Sequence, residues 1–198
     1  QPLVPLFEAI VNAIHAIDER KSADTSFEGR IVVKILRSEQ SVIEDTGELP
    51  PIQSLEIIDT GIGFNETNIT SFMESDSTYK AKIGGKGVGR FSWLIAFEKA
   101  EIESIYSEED GYVKRAFDFS VSNTEINDTL TDCTGYSDNQ TTVRLLNYVK
   151  PYTDNVPKRG MTIAMRIIQH CLVYFISDDC PQVILQDIDE TYNLNHIF

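Results

Sequence analysis

The chain has 198 residues, 41% of them apolar, which suits one domain of somewhat above average size with a real core and is too short for two full domains. Its 17 Lys and Arg against 31 Asp and Glu give a net charge of −14, a field that repels nucleic acid and anionic membranes, so any phosphate ligand needs local backbone N–H groups, a few placed cations or a divalent metal. Cys133, Cys171 and Cys180 are odd in number and widely spaced, which fits neither a disulfide framework nor a zinc cluster and points to a reducing, cytoplasmic setting.

No apolar run reaches the length of about 18 residues that a membrane-spanning helix needs, and no leader pattern precedes the first helix. The start at Gln1, without Met and almost directly in a helical pattern, fits an excised domain. Residues 6–20 read as an amphipathic helix, because Phe7, Ile10, Val11, Ile14 and Ile17 recur at three- and four-residue spacing. Glu8, Asn12 and His15 share a different flank, beside the small residues Ala9, Ala13 and Ala16. A solvated face accounts for such a flank. Next to a phosphate site the same spacing lets Asn12 offer its amide oxygen to Mg²⁺ while Glu8, one turn earlier, orients and deprotonates a water.

Residues 21–29 are turn-like, residues 30–37 alternate as a strand, and residues 39–51 form a polar surface connection. Residues 55–59 are a short buried strand that ends in Asp59 and runs into Thr60-Gly61-Ile62-Gly63-Phe64. A carboxylate fixed at a strand end beside bare backbone can accept a hydrogen bond from the exocyclic amine of adenine, and the glycines let the chain approach a ligand. Asp-Thr-Gly is also a common turn. Asn65-Glu66-Thr67-Asn68 reads as the cap of a following helix, with Ile69, Phe72 and Met73 on one side.

From Ser77 to Phe97 there is no acidic residue, while Lys80, Lys82, Lys86 and Arg90 fall in that span. Gly85-Lys86-Gly87-Val88-Gly89-Arg90-Phe91 then leads into a helix expected over residues 91–97, whose first N–H groups are free to cradle phosphate. The pattern matches neither the Walker loop nor the dinucleotide fingerprint, and a glycine hinge is the alternative. Residues 101–107 and 112–121 read as two strands, residues 122–140 as a wandering polar segment, and residues 141–148 as another strand. Thr141 and Thr142 at its start are good β-formers, or one of them reaches the base or its bound water. Residues 156–176 give the longest helical pattern, with Met161, Ala164, Met165, Ile168, Cys171, Leu172, Phe175 and Ile176 on its apolar face. Residues 183–185 are a last strand and residues 188–198 a tail or linker.

Three motifs therefore stand in one order: Glu8-x-x-x-Asn12-Ala13, Asp59-x-Gly61-x-Gly63 and Gly85-x-Gly87-x-Gly89. In that conjunction, over residues 6–148, the chain resembles the GHKL or Bergerat family of ATP-binding domains, which gyrase, the ninety-kilodalton heat-shock chaperone, sensor histidine kinases and MutL share. The resemblance implies a two-layer α/β sandwich, with a mixed, mostly antiparallel sheet, helices on one face and a mobile ATP lid that includes residues 65–83. It implies that Asp59 reads adenine, Asn12 binds Mg²⁺, Gly61 and Gly63 shape the base pocket, and Gly85, Gly87 and Gly89 cradle the phosphates of ATP. Ala16, Phe64, Val88 and Phe91 go with these motifs, Lys80, Lys82, Lys86 and Arg90 are local candidates for the terminal phosphate, and Thr141 or Thr142 stands for the family threonine near the base. Gln140 replaces the glycine that normally precedes that threonine. Glu8 is typical of the hydrolysing branch, so the resemblance implies an ATPase, slow as an isolated domain; a non-hydrolysing nucleotide sensor and a histidine kinase catalytic domain are the alternatives. The region 156–187 is similar to a bacterial group of chaperone-like ATP-binding proteins, some of them from conflict or phage-defence systems. Expected partners are ATP and ADP, further domains of the same polypeptide and an ATP-dependent second copy, with no direct contact to nucleic acid or membrane.

Overall fold

The computed structural model describes residues 1–38, 49–74 and 89–198, with backbone alone for residues 74 and 89–91. The strands are β1 (Arg30–Arg37), β2 (Ile52–Asp59), β3 (Phe97–Glu108), β4 (Gly111–Ser120), β5 (Thr129–Cys133), β6 (Gln140–Tyr148), β7 (Gln182–Gln186) and β8 (Thr191–Asn193). Among the described residues they form one 8-stranded sheet in the order β5-β4-β3-β6-β2-β1-β7-β8. Only β1 and β7 run parallel; every other neighbouring pair is antiparallel.

Alternation along the strands separates the two faces. On one face Phe117, Ile102, Val143, Ile57, Val33 and Leu185 lie side by side across six strands, each paired in register with the next. These residues belong to a single apolar core with Leu6, Ile10, Ile14 and Ile17 of helix α1 (Val4–Ala23) and Ile163 and Ile167 of helix α5 (Gly160–His170). The opposite face carries Lys34, Glu56 and Arg144 in one row, with Nζ of Lys34 2.9 Å and Nε of Arg144 2.8 Å from the Glu56 carboxylate. The result is the two-layer α/β sandwich implied by the motifs, with a mixed, mostly antiparallel sheet and a helical layer on the apolar face.

Helix α2 (Glu66–Glu74) opens as its sequence directs: Asn65 Oδ1 accepts from Asn68 N at 2.9 Å, a side-chain N-cap. The helix expected over residues 91–97 starts earlier, as α3 (Gly89–Ala96), and Phe97 is already the first residue of β3. Residues 75–88, which hold Lys80, Lys82 and Gly84 to Val88, and residues 39–48 of the expected surface connection lie outside the described residues.

Three expectations are corrected. The segment 122–140 contains β5, an exposed edge strand whose Thr-Leu-Thr-Asp-Cys sequence has no apolar alternation to betray it and which forms by backbone pairing to β4. The single helix expected over residues 156–176 is two, α5 and α6 (Leu172–Phe175), and a separate short helix, α4 (Tyr152–Asn155), precedes them. Pro157 has no N–H to give and pushes its predecessor out of the helical region; Val156 accordingly has φ −71° and ψ 138°. The buried face of α5 is Gly160, Ile163, Ala164, Ile167 and Ile168, while Met161 (45% exposed) and Met165 (41%) point outward, as do Leu172 and Ile176. Finally, the tail is part of the fold: β8 pairs with β7, and helix α7 (Leu194–Ile197) buries Leu194 completely.

Candidate functional site

Where β2, β6, β3 and β4 lie side by side, the helix-facing row next to the apolar one is polar. Asp59 is in register with Thr141, Thr141 with Ser104, and Ser104 with Arg115. All four are withdrawn from water, at 4%, 5%, 0% and 2% exposure respectively, so each must find its hydrogen bonds inside the protein or in a ligand. Ser104 Oγ lies 2.8 Å from Thr141 Oγ1 and accepts from Phe64 N at 2.9 Å. Arg115 pairs with Glu66 in the first turn of α2 and lies 3.3 Å from Asp128.

Asp59 Oδ1 accepts from Gly61 N at 2.8 Å, and among the described residues its second oxygen has no protein donor. Burial pushes this carboxyl up to about 7, while the Gly61 N–H draws it down. The chain then turns under α1: Ile62 N donates to the Ala16 carbonyl at 2.9 Å, and Thr60 N and Oγ1 are tied to Arg30. Gly61 is needed for this approach, because a Cβ there would stand 2.7 Å from the Ala16 backbone and side chain. Gly63 has φ +85°, and a Cβ on it would meet Tyr106 at 2.7 Å. Both glycines thus fit the turn against α1 and β3, which is a packing reason beyond the open access to a ligand read from their sequence. Asn139, buried, holds the turn from the other side: its Nδ2 donates to the carbonyls of Gly61 and Ile62 at 3.2 and 3.3 Å, and its Oδ1 accepts from Ser107 N at 3.0 Å.

Above this row is a pocket of about 420 Å³, lined by Asn12, Ala13 and Ala16 of α1, by Asp59, Gly63, Phe64, Thr141 and Val143, and by Phe72 and Trp93. Its volume is in the range of small-molecule and cofactor sites. Asn12 is exposed at the edge, and His15, also in the lining, has Nε2 3.1 Å from the hydroxyl of Tyr174. Asn68 Nδ2 donates to Gly63 O and Glu19 Oε2, both at 3.1 Å, linking α2 to the turn and to α1. Aromatic contacts among Phe64, Phe72, Trp93, Phe117 and Phe119 form the apolar wall.

Of the residues singled out in the sequence, Asn12, Ala16, Asp59, Gly63, Phe64 and Thr141 meet at one pocket, and Gly61 supports it from behind. Glu8 is half-buried one helical turn from Asn12 and is not among the lining residues. Thr142 is corrected: it is in register with Ile58 and Glu103 and faces the opposite side of the sheet. Gly89, Arg90 and Phe91 form the first turn of α3, and Lys82, Gly85, Lys86, Gly87 and Val88 are outside the described residues. Ser104, Arg115 and Asn139 were not found by reading the sequence. The signal for the first two was there: each is polar at a position whose strand parity, Ile102 and Tyr106 or Val113 and Phe117, is that of the core.

Among the described residues no three His, Cys, Asp or Glu side chains come together to cage an ion. No described helix is long and apolar enough to cross a membrane.

No protein-family model and no curated protein sequence matches the chain significantly. Among solved structures it is similar to the 43K ATPase domain of Thermus thermophilus gyrase B, determined in complex with an aminocoumarin, with a TM-score of 0.58 at 14% identity. The match takes in 98% of this chain and 46% of that one, so the chain spans about half the length of the structure it resembles. The chain has the α/β fold of that gyrase B domain, the GHKL or Bergerat fold.

Proposed function

We propose that the chain is an ATP-binding domain that hydrolyses ATP with Mg²⁺, and that nucleotide state is passed on by lid closure or dimerisation within a larger protein. The observation that carries this reading is Asp59: a buried carboxylate with one oxygen held by Gly61 N–H and the other free to take the 6-amino group of adenine at the floor of a nucleotide-sized pocket. Thr141 stands beside it in register, and Val143, Ala13 and Ala16 supply apolar walls for the purine. At the edge of the pocket Asn12 would give its amide oxygen to Mg²⁺. The glycine segment ending at Gly89, with Lys82, Lys86 and Arg90, would bind the phosphates through backbone N–H groups and cations.

When bound, Mg²⁺ supplies charge neutralisation across the terminal phosphates. Glu8, one turn from Asn12, would accept the proton of a water attacking the γ-phosphate in line. Since Glu8 does not line the pocket, a second reading has an observation in its favour: a module that binds and senses nucleotide without turning it over.

ATP titration of the purified chain with and without Mg²⁺, combined with phosphate release from wild type and Glu8→Ala, tests both. The hydrolase reading expects Glu8→Ala to bind ATP as wild type does and to release no phosphate above background. Binding without turnover in wild type gives the sensor, equal turnover in both proteins removes Glu8 from the mechanism, and absence of ATP binding in wild type overturns the whole reading.

A further inference from the structure

The hydroxyls beneath the pocket have a determinable direction. The Phe64 amide can only donate, so Ser104 Oγ receives that proton through one lone pair at 2.9 Å. Ser104, fully buried, still has its own hydroxyl proton to place, and among the described residues Thr141 Oγ1 at 2.8 Å is its one acceptor. Arg115, in register on the far side, offers donors only. Were Thr141 the donor, the Ser104 proton would be buried without a partner, the costly arrangement in a dry site. The bond therefore runs from Ser104 to Thr141. It fixes Thr141 Oγ1, polarises it, and leaves the Thr141 proton for the pocket that Thr141 lines.

We infer that Ser104 is a positioning residue for base selection: by donating to Thr141 it makes Thr141 present a hydrogen-bond donor beside the Asp59 acceptor, a pair matched to an amino group next to a ring nitrogen. This rests on the nucleotide reading of the same pocket. Asp59 and Thr141 are directly opposed on adjacent strands, so the acceptor and the donor stand side by side. The 6-amino and N1 edge of adenine offers the complementary donor and acceptor. The 6-oxo and N1–H edge of hypoxanthine offers the reverse, placing an oxygen against the carboxylate and a proton against a proton.

The test compares ATP with inosine triphosphate, which differs only on that edge, by calorimetric titration of wild type, Ser104→Ala, Thr141→Val and the double variant. Wild type is expected to prefer ATP. Ser104→Ala is expected to lower that preference by several-fold, toward tenfold, and Thr141→Val to lower it at least as far. In the Thr141→Val background the further change Ser104→Ala is expected to leave the preference where it is, because Ser104 acts through Thr141. A purely structural Ser104 would weaken both nucleotides alike and leave their ratio unchanged, which overturns the inference while the ATP-binding reading stands. Failure of wild type to bind either nucleotide overturns both. Should Ser104→Ala not fold, Ser104→Cys keeps the side-chain size with a weaker donor, and a ratio equal to wild type there also overturns the inference.

Discussion

Asp59 is placed where its ionisation works against the fold. Burial raises its carboxyl to about 7, above the ordinary aspartate value of 3.8, so between these two values the folded state holds a proton that the unfolded chain has released. Stability from this group is thus complete below about pH 4, falls as pH rises to about 7, and is level above that, a loss on the order of 4 kcal/mol at most. Asp59→Asn keeps an oxygen for Gly61 N–H and removes the buried charge. It is expected to melt higher than wild type at pH 8, with the gain shrinking toward pH 5, while ATP affinity falls by tenfold or more. Thermal melts at both pH values and an ATP titration check the two halves separately. The same group predicts that wild-type affinity for ATP rises between pH 6 and pH 8, because the 6-amino donor of adenine favours the ionised carboxylate.

At the scale of the element, α5 shows how a broad apolar pattern can be read on the wrong side. Met161 and Met165 have the spacing of a core stripe, but Ile163 and Ile167 are fully buried and the methionines are not. Ile167→Ala is expected to cost about 2–5 kcal/mol and Met165→Ala about 0.5 kcal/mol or less, measured by denaturant unfolding. Equal losses would mean that α5 packs through the methionine face. The phase of a helix with apolar residues around much of its circumference is set by what it packs against, here strand β7. In α1, by contrast, the apolar stripe and the polar flank leave a single phase: Phe7, Ile10, Ile14 and Ile17 are buried as their spacing requires, and Val11 is half-buried at the edge of the stripe.

Across the whole molecule, the region after residue 150 is joined to the half that carries the pocket by a buried ion pair. Arg37 of β1 and Asp187 are each 3% exposed in their side chains and meet through two hydrogen bonds of 2.7 Å, and Arg37 also donates to the carbonyls of Pro50 and Lys158. Asp187→Ala leaves a buried guanidinium without its carboxylate and is expected to cost about 3–5 kcal/mol in unfolding free energy, where an exposed pair such as Lys99 with Glu101 would cost under about 1 kcal/mol. The sequence by itself determined the order of the three motifs, the stripe of α1, the cap at Asn65 and strand β1 residue for residue, because each depends on neighbours within a few positions. It even carried, in the parity shared by Thr141, Val143 and Leu145, the fact that Thr141 and not Thr142 faces the pocket. Only the tertiary structure decided that Asp59, Thr141, Ser104 and Arg115 form one buried row, and that Asn139 clamps the glycine turn. Those partners are tens of residues apart in the chain, and the strand register that brings them together is a property of the sheet as a whole.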